Sequence, residues 1–395
     1  MFVRRFVPAL SALALSLVLP TSATRAQSFQ TAAPFAALVD FETGAVLFEK
    51  NAEDSMAPGA TVKLMTAEVV FHEIREGRLH LDDTFEVSEN AWRNGGAHSH
   101  GTATFLDVHS RVRVEDLLRG LIVQSGNDAA MTLAEGIAGT EDNFAAMMNK
   151  RAAELGLTQS TFANPRGSGK SDPRQKTTAH DMARLAADII RGDADFYHYF
   201  AEKEFTWNKI RQLNRDPLLS MDLGADGLMI GDSPEGGYGL VGSAIQNGQR
   251  LIVVVNGLKT AADRAEEARK LLDWGFRSFD PRVIFQPGET VGAASVYGGE
   301  QSEVPLICDE PVKVFLTRGA QEKLTAKIVY VGPLVAPVAP GVQVARLKVW
   351  RGSTLALDVP LKTQSAIPLG GLSKRAMDAG LELAVDLIRK SFARN

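Results

Sequence analysis

Three short segments carry side chains whose types and spacing could support reaction chemistry. Lys63 follows the segment Pro58–Val62 at the start of an apolar stretch, and Ser125 and Asn127 flank a glycine about 60 residues later. The segment Asp226–Gly231 then precedes a second apolar stretch. A lysine amine and a serine hydroxyl can transfer protons, and an asparagine amide can both donate and accept hydrogen bonds. Together the segments suggest a catalytic or binding cleft assembled from distant parts of the chain.

The elements around these segments predict an α+β fold. Phe35–Asp40 and Val46–Glu49 are strand-like, and Thr61–Arg75 is a central helix that ends at Gly77. Strands return at Gly239–Ala244 and Leu251–Val255, joined by a Gln-Asn-Gly-Gln hairpin turn. Further helices are predicted between the two pairs of strands and after them, at Val114–Val123, Asp128–Ile137, Glu141–Leu155, Ala179–Arg191 and Asp263–Phe276. We therefore expect an antiparallel sheet, built from both ends of residues 27–279 and covered by helices.

After residue 279 the pattern changes to short apolar stretches separated by Gly and Pro, which predicts a small all-β domain over residues 281–366. Residues 367–395 form a predicted C-terminal amphipathic helix, because one apolar stripe recurs every three or four residues between Leu372 and Phe392. This helix either makes a peripheral contact with a membrane surface or docks on the protein.

The N-terminus predicts export. Arg4 and Arg5 precede a short apolar run, and Thr24 and Ala26 fit a cleavage site, so residues 1–26 are interpreted as a signal peptide; the alternative is a buried N-terminal helix. The single cysteine, Cys308, excludes an intrachain disulfide. A net charge of -4 gives no basic field for nucleic acid, and nothing in the sequence predicts a metal site or a cofactor.

The motifs resemble those of low-molecular-mass serine D-alanyl-D-alanine carboxypeptidases, which are penicillin-binding proteins of peptidase family S11. That family carries S-x-x-K, then S-x-N, then K-T-G. Here Ala60-Thr61-Val62-Lys63, Ser125-Gly126-Asn127 and Met229-Ile230-Gly231 stand in the same order. The segment Asp116–Leu121 leading into Ser125–Ala129, and Leu64-Met65-Thr66 after the lysine, are typical of the family. The resemblance covers essentially the whole chain and implies a β-lactamase/transpeptidase-like domain.

The resemblance assigns roles that this sequence fills only in part. It places the nucleophilic serine at Ala60, which has no hydroxyl, while Lys63 takes the base position and Ser125 a proton-relay position. Asn127 takes the position that holds the substrate amide. The lysine and threonine that bind the substrate carboxylate are replaced by Met229 and Ile230, and Gly231 remains.

Other segments offer weak substitutes for the missing groups. Thr61 lies about 100° round the helix from position 60. Gly257–Thr260 resembles a displaced K-T-G and is interpreted as a turn, and Thr206–Lys209 fits T-x-x-K but follows the S-x-N element. The retained residues also have structural interpretations: Lys63 as a buried lysine paired with Ser125 and Asn127, and those two residues as a cap of the next helix.

Two functions remain open from the sequence. In the first, the chain is an exported, periplasmic carboxypeptidase homologue without turnover. It binds peptidoglycan stem peptides or a cell-wall protein, and it is either free in the periplasm or attached to the outer face of the inner membrane. In the second, it is an active carboxypeptidase in which Ala60 is an engineered change; this explains Ala60 but leaves Met229 and Ile230 unexplained.

Overall fold

The computed structural model describes residues 29–167, 172–318, 324–352 and 354–379. Residues 372–379 are helical, and short 3-10 turns span Gly59–Val62, Ala97–Ser99 and Pro217–Ser220. The other helices are α1 (Lys63–Arg75), α2 (Glu89–Gly95), α3 (Val114–Val123), α4 (Asn127–Ala138), α5 (Glu141–Glu154), α6 (Ala179–Gly192), α7 (Ala194–Ala201) and α8 (Ala261–Ser278). The strands are β1 (Phe35–Asp40), β2 (Val46–Lys50), β3 (Thr84–Glu86), β4 (Arg111–Arg113), β5 (Glu204–Trp207), β6 (Ile210–Leu213), β7 (Ala225–Ser233), β8 (Gly237–Gln246), β9 (Gln249–Leu258), β10 (Phe279–Phe285), β11 (Thr290–Tyr297), β12 (Glu303–Ile307), β13 (Val312–Thr317), β14 (Leu324–Tyr330), β15 (Leu334–Val335), β16 (Gln343–Arg351) and β17 (Thr354–Thr363).

The central sheet has five antiparallel strands in the order β2-β1-β9-β8-β7, so β7 is an edge strand. Its two faces bury different cores because side chains alternate along each strand. One cross-strand row contains Met229, Val241, Val254 and Ala37, and it packs under the helices. The neighbouring row contains Ile230, Leu240, Val255 and Ala36, and it belongs to the core that includes α8.

Helix α1 lies at the centre of the helical layer. Ten of its side chains are buried, among them Lys63, Thr66 and Glu68. Glu68 is held by ion pairs with Arg75 and Arg151, which balance a carboxylate that has no contact with solvent. The beginning of α1 is therefore a rigid position for any side chain that it carries.

The C-terminal part is all-β. A six-stranded sheet has the order β14-β16-β17-β12-β11-β15, and β10 pairs with β13. The core on the α8 face of the central sheet continues into this part through residues such as Val304, Leu347 and Leu361. Arg351 donates hydrogen bonds to the carbonyls of Val46 and Leu47, and this further joins the two parts.

The α+β architecture with a second all-β part is confirmed, including the helices at Val114–Val123 and Ala179–Gly192. The interpretation of Gly257–Thr260 as a turn is right only for Lys259 and Thr260, which form the bend before α8, because Gly257 and Leu258 still belong to β9. Residues 380–395 of the predicted terminal helix, and the predicted signal peptide, lie outside the described residues. No helix in the described ranges combines the length and the apolar character that crossing a bilayer requires.

Candidate functional site

Ala60 lies in the 3-10 turn Gly59–Val62, directly before α1, and is 8% exposed. Strand β7 crosses this turn at backbone contact distance. A Cβ on Gly231 would lie 2.4 Å from the Thr61 nitrogen and 3.0 Å from the carbonyl carbon of Ala60. Only a glycine permits this approach, so Gly231 has a packing reason to be present that does not depend on substrate.

Lys63 is fully buried one turn after Ala60, and its Nζ donates a hydrogen bond to the carbonyl of Arg166 at 2.9 Å. Thr66, on the same helix face, donates to the carbonyl of Pro165 at 2.6 Å. The two side chains fasten the loop 164–167 to α1. No hydrogen bond joins Lys63 to Ser125 or Asn127 among the described residues, so the interpretation of Lys63 as their partner is wrong.

Burial lowers the pKa of the Lys63 amine from 10.5 to about 7. The carboxylates of Asp232 and Asp128 act in the opposite direction, and the guanidinium groups of Arg166 and Arg215 reinforce the lowering. A lysine whose pKa lies near neutrality can accept a proton from a neighbouring hydroxyl. The Lys63 amine can therefore accept a proton at neutral pH, but Ala60 offers no hydroxyl beside it.

Lys63→Met should remove a pH dependence of stability. Between pH 7 and 10.5 the unfolded chain binds a proton at this lysine that the folded chain does not bind. The free energy of unfolding therefore rises with pH in that window, and below pH 7 the lysine contributes no slope. From pH 7 to 9, the wild type should gain about 2 kcal/mol relative to the variant in urea denaturation.

Lys176 provides the control for this experiment, because it is exposed and its ammonium remains in water in both states. Lys176→Met should shift the free energy of unfolding equally at pH 7 and pH 9. If the change in the free energy of unfolding between pH 7 and pH 9 were the same in the Lys63 and Lys176 variants, the lowered pKa of Lys63 would be contradicted.

Ser125 lies on the tight turn between α3 and α4, Asn127 is the first residue of α4, and both are 3% exposed. Ser125 has a left-handed backbone (φ 57°). The cap of α4 is Gly126, with no side-chain hydrogen bond, so the interpretation of these residues as a helix cap is wrong. The Oδ1 atom of Asn127 is buried without a hydrogen-bond partner in the described structure. A buried acceptor is stable only when a hydrogen-bond donor satisfies it, and a ligand N–H could supply that donor.

Met229 and Ile230 point away from each other on β7. Met229 is 1% exposed in the core under the helices, and Ile230 is 7% exposed in the core that includes α8. Neither side chain offers a donor to a carboxylate. Asp232, two residues after Ile230, is exposed, and its backbone lies against Gly59 at the turn before α1.

Two protein-family models together match most of the chain. Residues 21–260 match the D-alanyl-D-alanine carboxypeptidase family (peptidase S11), and residues 279–369 match the C-terminal domain of penicillin-binding protein 5. D-alanyl-D-alanine carboxypeptidase DacC of Escherichia coli is 38% identical over 344 residues, which are 86% of this chain and 86% of that protein. The chain belongs to the D-alanyl-D-alanine carboxypeptidase family.

Further relatives agree with this assignment. D-alanyl-D-alanine carboxypeptidase DacA of Haemophilus influenzae is 37% identical over 292 residues, 73% of each chain. The crystal structure of penicillin-binding protein 5 from Haemophilus influenzae superposes with a TM-score of 0.73 at 34% identity, covering 86% of this chain and 98% of that one. The fold expected for the family is therefore confirmed.

The structure brings Ala60 and Gly231 into backbone contact and places Lys63 directly after this turn, at the start of α1. Sequence reasoning missed Arg166, whose carbonyl receives the Lys63 amine and whose guanidinium donates to the carbonyl of Asn94. A contact made by a backbone carbonyl leaves no signature in the type of residue, so no sequence pattern could have identified it.

Proposed function

We propose that this chain is a peptidoglycan-binding member of its family that does not turn over D-alanyl-D-alanine peptides. The observation that carries the proposal is Ala60 at the nucleophile position, with the adjacent Lys63 amine donating to the carbonyl of Arg166 instead of facing a hydroxyl. Without an oxygen at position 60, no acyl-enzyme can form there.

Thr61 is poorly suited to replace the missing serine. It is 3% exposed, and its hydroxyl donates to the carbonyl of Pro58 at 2.6 Å. Attack by this oxygen would require the hydroxyl to leave a buried hydrogen bond and rotate about the helix axis towards Lys63. The geometry therefore supports inactivity at the adjacent hydroxyl as well as at Ala60.

The second loss concerns substrate binding. A charged hydrogen bond to a carboxylate contributes about 1.5–3 kcal/mol, and both donors expected on β7 are replaced by apolar residues. Met229 and Ile230 continue the apolar rows of the sheet, so they fit the two cores on either side of β7. An engineered change at Ala60 in an otherwise active enzyme does not account for these two residues.

Binding is supported by what the site retains. Asn127 still presents a buried, unpaired acceptor, and the segment that carries it is held in place by the surrounding loop. We infer that this acceptor takes an amide N–H of a peptidoglycan stem peptide. Residues 1–26, with the composition of a signal peptide, support a periplasmic location where such peptides occur.

The proposal predicts that the protein forms no covalent complex with penicillin. The purified protein, incubated with a fluorescent penicillin and weighed by intact mass spectrometry, should keep its unmodified mass. Titration with a peptide ending in D-Ala-D-Ala should nevertheless show reversible binding, and Asn127→Ala should weaken it. A stable adduct on any residue would refute inactivity, and the absence of peptide binding would refute the retained site.

A further inference from the structure

Phe105 is the only exposed phenylalanine in the described part of the chain, with 40% of its surface accessible. Its backbone is left-handed, with φ at 64°. A bulky side chain in this region is strained, and a glycine or asparagine would adopt the conformation at lower cost. An aromatic ring held in solvent on a strained backbone indicates a use for the ring outside the folded core.

The strain has an identifiable cause in the buried carboxylate of Asp128. Its Oδ1 accepts the N–H of Thr104 at 2.8 Å, and its Oδ2 accepts the N–H of Leu106 at 3.1 Å. The N–H groups of Thr104 and Leu106 both point at this carboxylate. The backbone at residue 105, which lies between them, must therefore bend. Gln212 on β6 donates to the carbonyl of Thr104 at 2.9 Å and fixes the loop from the other side. The backbone at Phe105 is therefore fixed on both sides.

The loop that carries Phe105 adjoins the candidate site directly. The hydroxyl of Thr102 donates to the carbonyl of Ser125 at 2.5 Å, and the Asn127 N–H donates to the carbonyl of Thr102 at 2.8 Å. These hydrogen bonds join the Phe105 loop to the segment that carries the unpaired Asn127 acceptor. The two segments thus form one continuous surface.

A second exposed apolar residue and two polar groups accompany the ring. Asn208, at the turn of the β5–β6 hairpin, donates to the carboxylate of Asp107 at 2.9 Å. With the contact between Gln212 and Thr104, this places the hairpin along residues 104–107, and Ile210 lies between the two contacts with 41% exposure. The surface combines an aromatic ring, an aliphatic side chain, a carboxylate and an amide.

We propose that Phe105 and Ile210 form a stacking surface for an amino-sugar ring of the peptidoglycan glycan. This rests on the proposed function, in which the neighbouring Asn127 holds the stem peptide that the glycan carries. A pyranose ring has an apolar C–H face and a rim of hydroxyl groups, so an aromatic ring flanked by Asp107 and Asn208 matches both parts.

The test compares a sugar that lacks peptide with a peptide that lacks sugar. The N-acetylglucosamine trisaccharide and a peptide ending in D-Ala-D-Ala are titrated separately into the wild type and into Phe105→Gly by NMR. We expect Phe105→Gly to weaken trisaccharide binding about tenfold and to leave the peptide affinity unchanged. Phe105→Tyr, which keeps the ring, should bind the trisaccharide as the wild type does.

Leu213→Ala supplies the matched control, because Leu213 is 59% exposed and lies next to Gln212 on the opposite face of β6. It should change neither affinity. Absence of trisaccharide binding by the wild type, or unchanged trisaccharide binding by Phe105→Gly, would overturn the proposal, as would equal loss of both ligands by Phe105→Gly. Because the peptide is titrated separately, failure of the stem-peptide site is distinguished from failure of the sugar surface.

Discussion

The triple variant Ala60→Ser, Met229→Lys, Ile230→Thr should hydrolyse a peptide ending in D-Ala-D-Ala, whereas Ala60→Ser alone should remain at least about a hundredfold slower. Loss of the nucleophile lowers kcat by about a million-fold in another serine hydrolase, so the serine is necessary. The single variant still lacks two carboxylate contacts worth about 1.5–3 kcal/mol each. D-alanine release, measured for both variants, gives the comparison.

The pH dependence of the restored activity follows from Lys63. Its pKa of about 7 means that the amine is protonated below neutrality and cannot take the serine proton. Acylation by penicillin in the triple variant should therefore rise with pH through an inflection near pH 7 and level off above it. A profile with no inflection near neutrality would indicate that Lys63 is not the base.

Met229→Lys, Ile230→Thr with Ala60 retained is the control for this series. Both positions are buried, so the two polar residues carry a desolvation cost, and a thermal melt shows whether the fold survives it. This double variant should share the stability of the triple variant and form no adduct. Equal turnover by Ala60→Ser and the triple variant would show that Met229 and Ile230 do not limit the reaction.

The fold could be predicted from the sequence because its signals are local. The continuous β-branched run at Leu251–Val255 predicts a buried strand, and the apolar stripe of Ala179–Arg191 predicts an amphipathic helix. The final packing preserves both. The hairpin formed by β5 and β6 was not predicted, since its strands have four residues each and its turn residues, Asn208 and Lys209, carry no glycine. Short strands provide too few side chains for an alternation to be recognised.

The residues of the candidate site were chosen from the sequence, but the contacts that they make could not be predicted from it. The spacing of Lys63 from position 60 follows from helix geometry, and the resemblance placed Ser125 and Asn127 beside it. The hydrogen bond from Lys63 to the Arg166 carbonyl depends on how a loop about 100 residues away folds back over α1. The same is true of Phe105, whose conformation is determined by a carboxylate 23 residues later in the chain.

Gly167→Ala should be among the most destabilising single substitutions near the site. Gly167 has φ at +67°, and a Cβ there would lie 1.9 Å from the carbonyl oxygen of Gly59 and 2.5 Å from a methyl carbon of Val62. The left-handed backbone costs an alanine about 1–2 kcal/mol. The overlap with a backbone atom adds about 1–3 kcal/mol, because the loop must move off the turn before α1. Urea denaturation should therefore show a loss of about 2–5 kcal/mol.

Gly139→Ala separates the two contributions. Gly139 ends α4 with φ at +79°, and a Cβ there would meet nothing within 4 Å. Gly139→Ala should lower the free energy of unfolding only by what the left-handed backbone costs an alanine, about 1–2 kcal/mol. An equal loss of unfolding free energy in Gly167→Ala and Gly139→Ala would mean that the loop 164–167 can move away from Ala60 freely. A larger loss for Gly167→Ala, accompanied by weaker peptide binding, would mean that the contact between this loop and the Ala60 turn maintains the shape of the cleft even where the nucleophile is absent.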